Sequence, residues 1–157
     1  METLEEWLVK ELTKRHASIT TAESCTGGLV SGRIVNVGGA SSVFNQGFVT
    51  YSNEAKRDLL GVKQETLDSV GAVSPETAEQ MARGAAKAAN AEVALSVTGI
   101  AGPDGGTPEK PVGLVYIGCC CYGEAVVERH MFKGNRMEIR NASVETALTL
   151  AKKCLKE

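Results

Sequence analysis

The chain has 157 residues, 43% hydrophobic and 23% charged, with a formal net charge of −2. That length suits one domain able to bury a core, and the balance excludes a disordered chain. There is no basic excess and no apolar run near the roughly 20 residues a bilayer span needs, so neither nucleic acid nor a membrane is an expected partner.

Met1 leads into an acidic amphipathic stretch rather than a signal peptide, so a soluble, cytoplasmic protein is expected. "TLEEWLVKELTKR" predicts a helix. Thr3 and Glu6 form a capping box, and Leu4, Trp7, Leu8 and Leu12 share one face. "ASIT" reads as a strand, "GLVSGRIVNV" as a helix stopped by Gly38-Gly39, and "FNQGFVTYS" as strand-like. "NEAKRDLLG" predicts a short helix capped by Asn53 and closed by Gly61. "SPETAEQMARGAAKAANA" places Ser74 at N-cap and Pro75 at the first helical position. "EVALSVT" has the apolar character of a buried strand. "GLVYIGCCCYG" and "EAVVERHMF" flank a Gly123-Glu124 turn and read as an antiparallel hairpin. "NRMEIRNASVETALTLAKKCLK" predicts a closing helix capped by Asn135. Early alternation followed by a late hairpin predicts a single α/β domain over residues 1–157, three layers α/β/α on a mixed sheet.

The five cysteines are Cys25, Cys119, Cys120, Cys121 and Cys154. An odd count with three in a row argues against a disulfide framework, and alternation on a strand makes the triple core filler. His16 and His130 are far apart in sequence and there is no CxxC pair, so no metal site and no cofactor is expected.

Three segments depart from what packing alone requires, each following an expected strand, where ligands gather in open α/β sheets. In "TAESCTGG" (21–28), Ser24 sits at a strand-to-helix turn and Gly27 and Gly28 free the backbone for close approach. Two readings stay open at this point: a helix cap, or an exposed nucleophile beside amides able to hold an oxyanion. In "TYSNEAK" (50–56), an Asn53 cap places Lys56 at the third helical position, where the dipole disfavours a cation. Such a lysine is either solvated or held as a general base. The loop "TGIAGPDGGTPEKPVG" (98–113) can present several amides to a phosphate or carboxamide, yet matches neither a Walker A loop nor a dinucleotide fingerprint. Arg136 and Arg140, one turn apart near the start of the last helix, form a candidate phosphate site or a pair of solvated arginines.

The segments "TAESCTGG", "VTYSNEAK…LLGV", "GAVSPETA", "VTGIAGPDGGTPEKPVG" and the late "GNR…R" resemble, in order and over residues 4 to about 150, the CinA C-terminal domain family. Its stand-alone members look like nicotinamide-nucleotide amidases. The resemblance implies hydrolysis of the carboxamide of nicotinamide mononucleotide to nicotinate mononucleotide and ammonia, in pyridine nucleotide recycling, by a metal-free Ser/Lys mechanism. It implies Ser24 as nucleophile, Lys56 as base and Tyr51 near the pair. Glu23, Cys25, Thr26, Gly27, Gly28 and Asn53 are then expected around the substrate, with Thr98, Gly99 and Gly102 in the binding loop and Arg136 and Arg140 toward the phosphate. Longer family members carry a further N-terminal domain, whose properties are not carried over. Two other readings are open: a non-catalytic nucleotide-binding or regulatory module with the same pocket, and an amidase-signature hydrolase using Ser41 or Ser42 of "GGASS". The expected partner is the small-molecule substrate, and the oligomeric state, a homo-oligomer included, is left open.

Overall fold

The capping box at the start of the chain forms as written: Thr3 Oγ1 accepts from the Glu6 amide at 3.2 Å, and Glu6 returns to the Thr3 amide at 2.8 Å. It launches α1 (Leu4–Arg15), which buries Leu8, Val9 and Leu12. The structure is a computed structural model describing residues 1–157. After α1 come β1 (Ile19–Glu23), α2 (Leu29–Val35), a single 3-10 turn at Ala40–Ser42, β2 (Phe48–Val49), α3 (Asn53–Leu60) and α4 (Gln64–Ser69). Then follow α5 (Pro75–Ala89), β3 (Val93–Gly99), β4 (Leu114–Cys121), β5 (Glu124–Met131) and α6 (Arg136–Lys156). No helix is long and apolar enough to cross a membrane.

The five strands form one mixed sheet in the order β2-β1-β3-β4-β5. β2, β1 and β3 run parallel, with Glu23 opposite both Val49 and Val97; β4 and β5 close the sheet antiparallel. α1, α2 and α6 cover one face around Leu12, Ile34, Leu95, Ile117 and Leu148. α5, with α3 and α4, covers the other around Leu60, Leu67, Met81 and Ala85. β1 and β3, buried along nearly their whole length, are the shared spine of both layers. The alanine-rich α5 is smooth for a reason. A Cβ at Gly84 would stand 1.8 Å from the Leu60 carbonyl, so the two helices touch through backbone.

Several boundaries differ from expectation. α3 is capped by Ser52, whose Oγ accepts from the Ala55 amide at 3.0 Å; Asn53 is its first helical residue and Lys56 its fourth. α4 was not expected, because only Leu67 of its six residues is buried and no side chain caps it. β2 has only two residues, and α2 ends at Val35, before Gly38. The hairpin turns at Tyr122-Gly123, both with positive φ (51° and 85°), the type I′ geometry that matches strand twist. All five cysteines are free; Cys119 packs toward α6 and Cys120 toward α5, with Cys121 half-buried.

Because β1, β2 and β3 are parallel neighbours, their C-terminal ends lie together on one edge. Ser24, Thr50–Tyr51 and Thr98–Gly99 arrive there from segments far apart in sequence.

Candidate active site

Ser24 follows β1 directly, its amide still in the ladder through Val97 O at 3.0 Å. Lys56 reaches it from α3: Nζ lies 3.0 Å from Ser24 Oγ, 2.9 Å from Thr50 O and 3.4 Å from Tyr51 O. Lys56 is 1% exposed and takes part in no ion pair. Burial therefore disfavours the ammonium and draws its pKa below the ordinary lysine value. A neutral amine has two N–H donors and one lone pair. Once the amine is neutral, the two carbonyls can take its donors and leave the lone pair for the Ser24 hydroxyl. Cys25, next to Ser24, is shifted the other way: burial pushes its thiol up to about 11 and keeps it protonated.

These side chains open into a cavity of about 220 Å³, walled also by Tyr51, Asn53, Ala72, Val73, Thr98 and Arg136. Thr98 is 1% exposed and donates to Ala72 O at 2.8 Å, tying the loop before α5 to the cavity. Ala72 and Val73 were not singled out from sequence; their only signal was a place inside "GAVSPETA". Thr50 was likewise missed, because its contribution is a carbonyl.

Around Ser24 the backbone is held from two sides. Glu23 is fully buried, and its carboxylate accepts from the amides of Gly28 (3.2 Å), Val30 (2.9 Å) and Ser31 (3.0 Å) and from the Ser31 hydroxyl (2.8 Å). It serves as the anionic cap of α2, with Gly28 at the left-handed cap position (φ 109°). Expected among the substrate-binding residues, it is instead spent on the helix. On the other side Arg140 donates from Nε to Cys25 O at 2.9 Å and from Nη2 to Thr26 O at 3.2 Å. Between these anchors the amides of Cys25 and Thr26 donate to no atom of the chain, while the Gly27 amide closes a turn onto Ser24 O.

The two arginines therefore part company. Arg136 lines the cavity, donating to Gly102 O at 2.5 Å and to the Tyr51 hydroxyl at 3.0 Å. Arg140 lies behind the Ser24 loop and does not line the cavity. Tyr51 places only its carbonyl near Lys56, its hydroxyl going to Arg136. Thr26 is buried outside the cavity, its hydroxyl unpartnered. Gly99 lines the cavity, packed against β4 where a Cβ would meet Val115 and Leu114, and Gly102 supplies the carbonyl that Arg136 grips. Ser41 and Ser42 are exposed on the 3-10 turn, Ser42 bonded to Gly39 O, with no lysine hydrogen-bonded to either. That geometry removes the reading that used them as nucleophiles.

Comparison with known proteins gives the chain its family. The CinA C-terminal domain family matches residues 1–155. A CinA-like protein of Kosmotoga olearia is 54% identical over 154 residues, covering 98% of this chain and 37% of that protein. The chain thus spans a little over a third of the length of the curated relatives it matches. Among solved structures, the competence/damage inducible protein CihA from Agrobacterium tumefaciens is 46% identical with a TM-score of 0.94, over 98% of this chain and 94% of that one. A CinA superfamily protein from Escherichia coli is 32% identical with a TM-score of 0.94, over 98% and 89%. Motifs, topology and these likenesses agree over nearly the full length, and the chain belongs to the CinA C-terminal domain family.

Proposed function

We propose that the protein is an amidohydrolase acting on nicotinamide mononucleotide, releasing ammonia and nicotinate mononucleotide. The observation that carries this reading is the buried Lys56 Nζ, 3.0 Å from Ser24 Oγ with no carboxylate paired to it. A lysine desolvated in this way is a base matched to a serine nucleophile. Family resemblance supplies the substrate.

Ser24 Oγ attacks the carboxamide carbon as its proton passes to Lys56 Nζ. The tetrahedral oxyanion is held by the amide of Cys25, which lines the cavity beside Ser24 and donates to no atom of the chain; such a contact contributes roughly 3–4 kcal/mol in comparable sites. The C–N bond breaks as Lys56 returns the proton to the departing nitrogen, giving ammonia and an ester on Ser24. Water then attacks the ester, Lys56 accepts its proton, and the proton goes back to Ser24 as the acid leaves. The cavity is smaller than the ~300–1,000 Å³ typical of pockets that enclose a drug-sized ligand, so it receives the carboxamide end and leaves the ribose phosphate at the mouth, beside Arg136.

Incubation with nicotinamide mononucleotide in excess chelator tests this. The expected result is ammonia equimolar with the acid nucleotide. No ammonia under any condition would overturn the reading, and activity lost to chelator but restored by a divalent ion would overturn the metal-free mechanism.

A further inference from the structure

We infer that Arg140 is a positioning residue for the oxyanion site, acting through the Cys25–Thr26 backbone, and not a ligand for the substrate's phosphate. This rests on the amidase reading of Ser24. In a trans peptide the C=O and the following N–H point in opposite directions. Arg140 Nε holds the Cys25 carbonyl, so the Thr26 N–H of the same peptide unit is turned away from the guanidinium. Cys25, the residue whose carbonyl is gripped, is the one that lines the cavity, and its own N–H has no acceptor in the chain. Arg140 Nη2 holds the next carbonyl, Thr26 O, leaving the Gly27 amide to close the turn onto Ser24 O.

The fork geometry matters. Two consecutive carbonyls are gripped by one planar group, which a lysine ammonium cannot reproduce. Glu23 fixes the far end of the same loop through Gly28, Val30 and Ser31. The loop is pinned at both ends and the free Cys25 amide is held in advance of the reaction, which is how an oxyanion site costs no reorganisation when charge develops. Gly27 completes the fit: a Cβ there would come to 3.5 Å of Arg140 Nη2, at a φ of 55°.

The test compares wild type, Arg140→Ala and Arg140→Lys, each with its fold checked by thermal melting. Two readouts are used. Steady-state kinetics is run on nicotinamide mononucleotide and on the riboside, which lacks the phosphate. Covalent modification of Ser24 by phenylmethanesulfonyl fluoride is followed by mass spectrometry, since a sulfonyl oxygen occupies the same oxyanion site whatever the natural substrate. Arg140→Ala is expected to lower kcat by about 10- to 100-fold on both substrates, with KM within about threefold, and to slow sulfonylation comparably. Arg140→Lys, the variant to read if alanine does not fold, is expected to recover only a minor part. A KM rise confined to the mononucleotide would overturn the inference in favour of a phosphate ligand. So would full recovery in Arg140→Lys, or sulfonylation at the wild-type rate in either variant. If wild type is sulfonylated at Ser24 yet releases no ammonia from the mononucleotide, the substrate assignment fails while the sulfonylation rates still judge Arg140. No Ser24 adduct in wild type would overturn both.

Discussion

Replacing Lys56 with methionine removes one buried proton site while keeping similar bulk, which makes its consequences calculable. The wild-type lysine is 1% exposed, and burial holds its pKa below the roughly 10.4 of an unfolded chain. At pH values between the two, the unfolded chain binds a proton that the native protein does not. Stability therefore rises with pH across that window, at up to about 1.4 kcal/mol per pH unit. Below the native pKa both states are protonated and the slope vanishes. Lys56→Met has no such proton, so the stability difference between wild type and variant isolates this one group. The Cys25 thiol, pushed up to about 11 in the native state, stays protonated there through the window, and its titration in the unfolded chain is common to both proteins and cancels in the difference. Urea unfolding of the pair from about pH 6 to pH 10, followed by Trp7 fluorescence, gives the difference. It is expected to be flat at low pH and then to climb in favour of wild type. The same proton must leave before Lys56 can act as a base, so kcat/KM should rise through the pH where the climb begins. A flat difference over the whole range would refute a desolvated native amine. So would a kinetic midpoint far from the break. Lys56→Arg, which cannot release its proton, should be nearly inactive; substantial activity there would make the residue an electrostatic contact rather than a base.

Arg136→Ala should raise KM for the mononucleotide by about tenfold, the worth of one charge-assisted contact, and hardly touch the riboside; equal losses on both would make Arg136 structural, through its bonds to Gly102 and Tyr51. Gly84→Ala should destabilise by about 2 kcal/mol in chemical denaturation, because the new methyl meets the Leu60 carbonyl and forces α5 off α3. A gain in stability, as helix propensity alone would give, would contradict that contact.

The helix caps were legible because their grammar is local. Thr3, Ser74 and Asn135 each accept from an amide three residues further along the chain. The same grammar misplaced the start of α3, where Ser52 and Asn53 are both good caps and only the bond to Ala55 decides. The layer order and the late hairpin followed from periodicity, whereas α4 carries too little burial to leave a pattern. At the site, Ser24 and Lys56 announced themselves through residue type and place; their 3.0 Å approach depends on β1 and β2 being parallel neighbours. Glu23 could not be told from a ligand-facing carboxylate, since its partners are amides that any sequence would supply. The division of labour between Arg136 and Arg140 was hidden for another reason: it rests on contacts with loops 34 and 115 residues away.

On the proposed mechanism, Ser24, served by Lys56, opens a carboxamide on a nucleotide. That step is tested most directly by incubating wild type and Ser24→Ala side by side with nicotinamide mononucleotide, resolving both products by chromatography. Wild type is expected to give ammonia and nicotinate mononucleotide in equal amounts. Less than about a tenth of that turnover is expected from a variant that melts like wild type, since a turn serine loses only its hydroxyl. Undiminished hydrolysis by Ser24→Ala, or none by wild type, would contradict the mechanism.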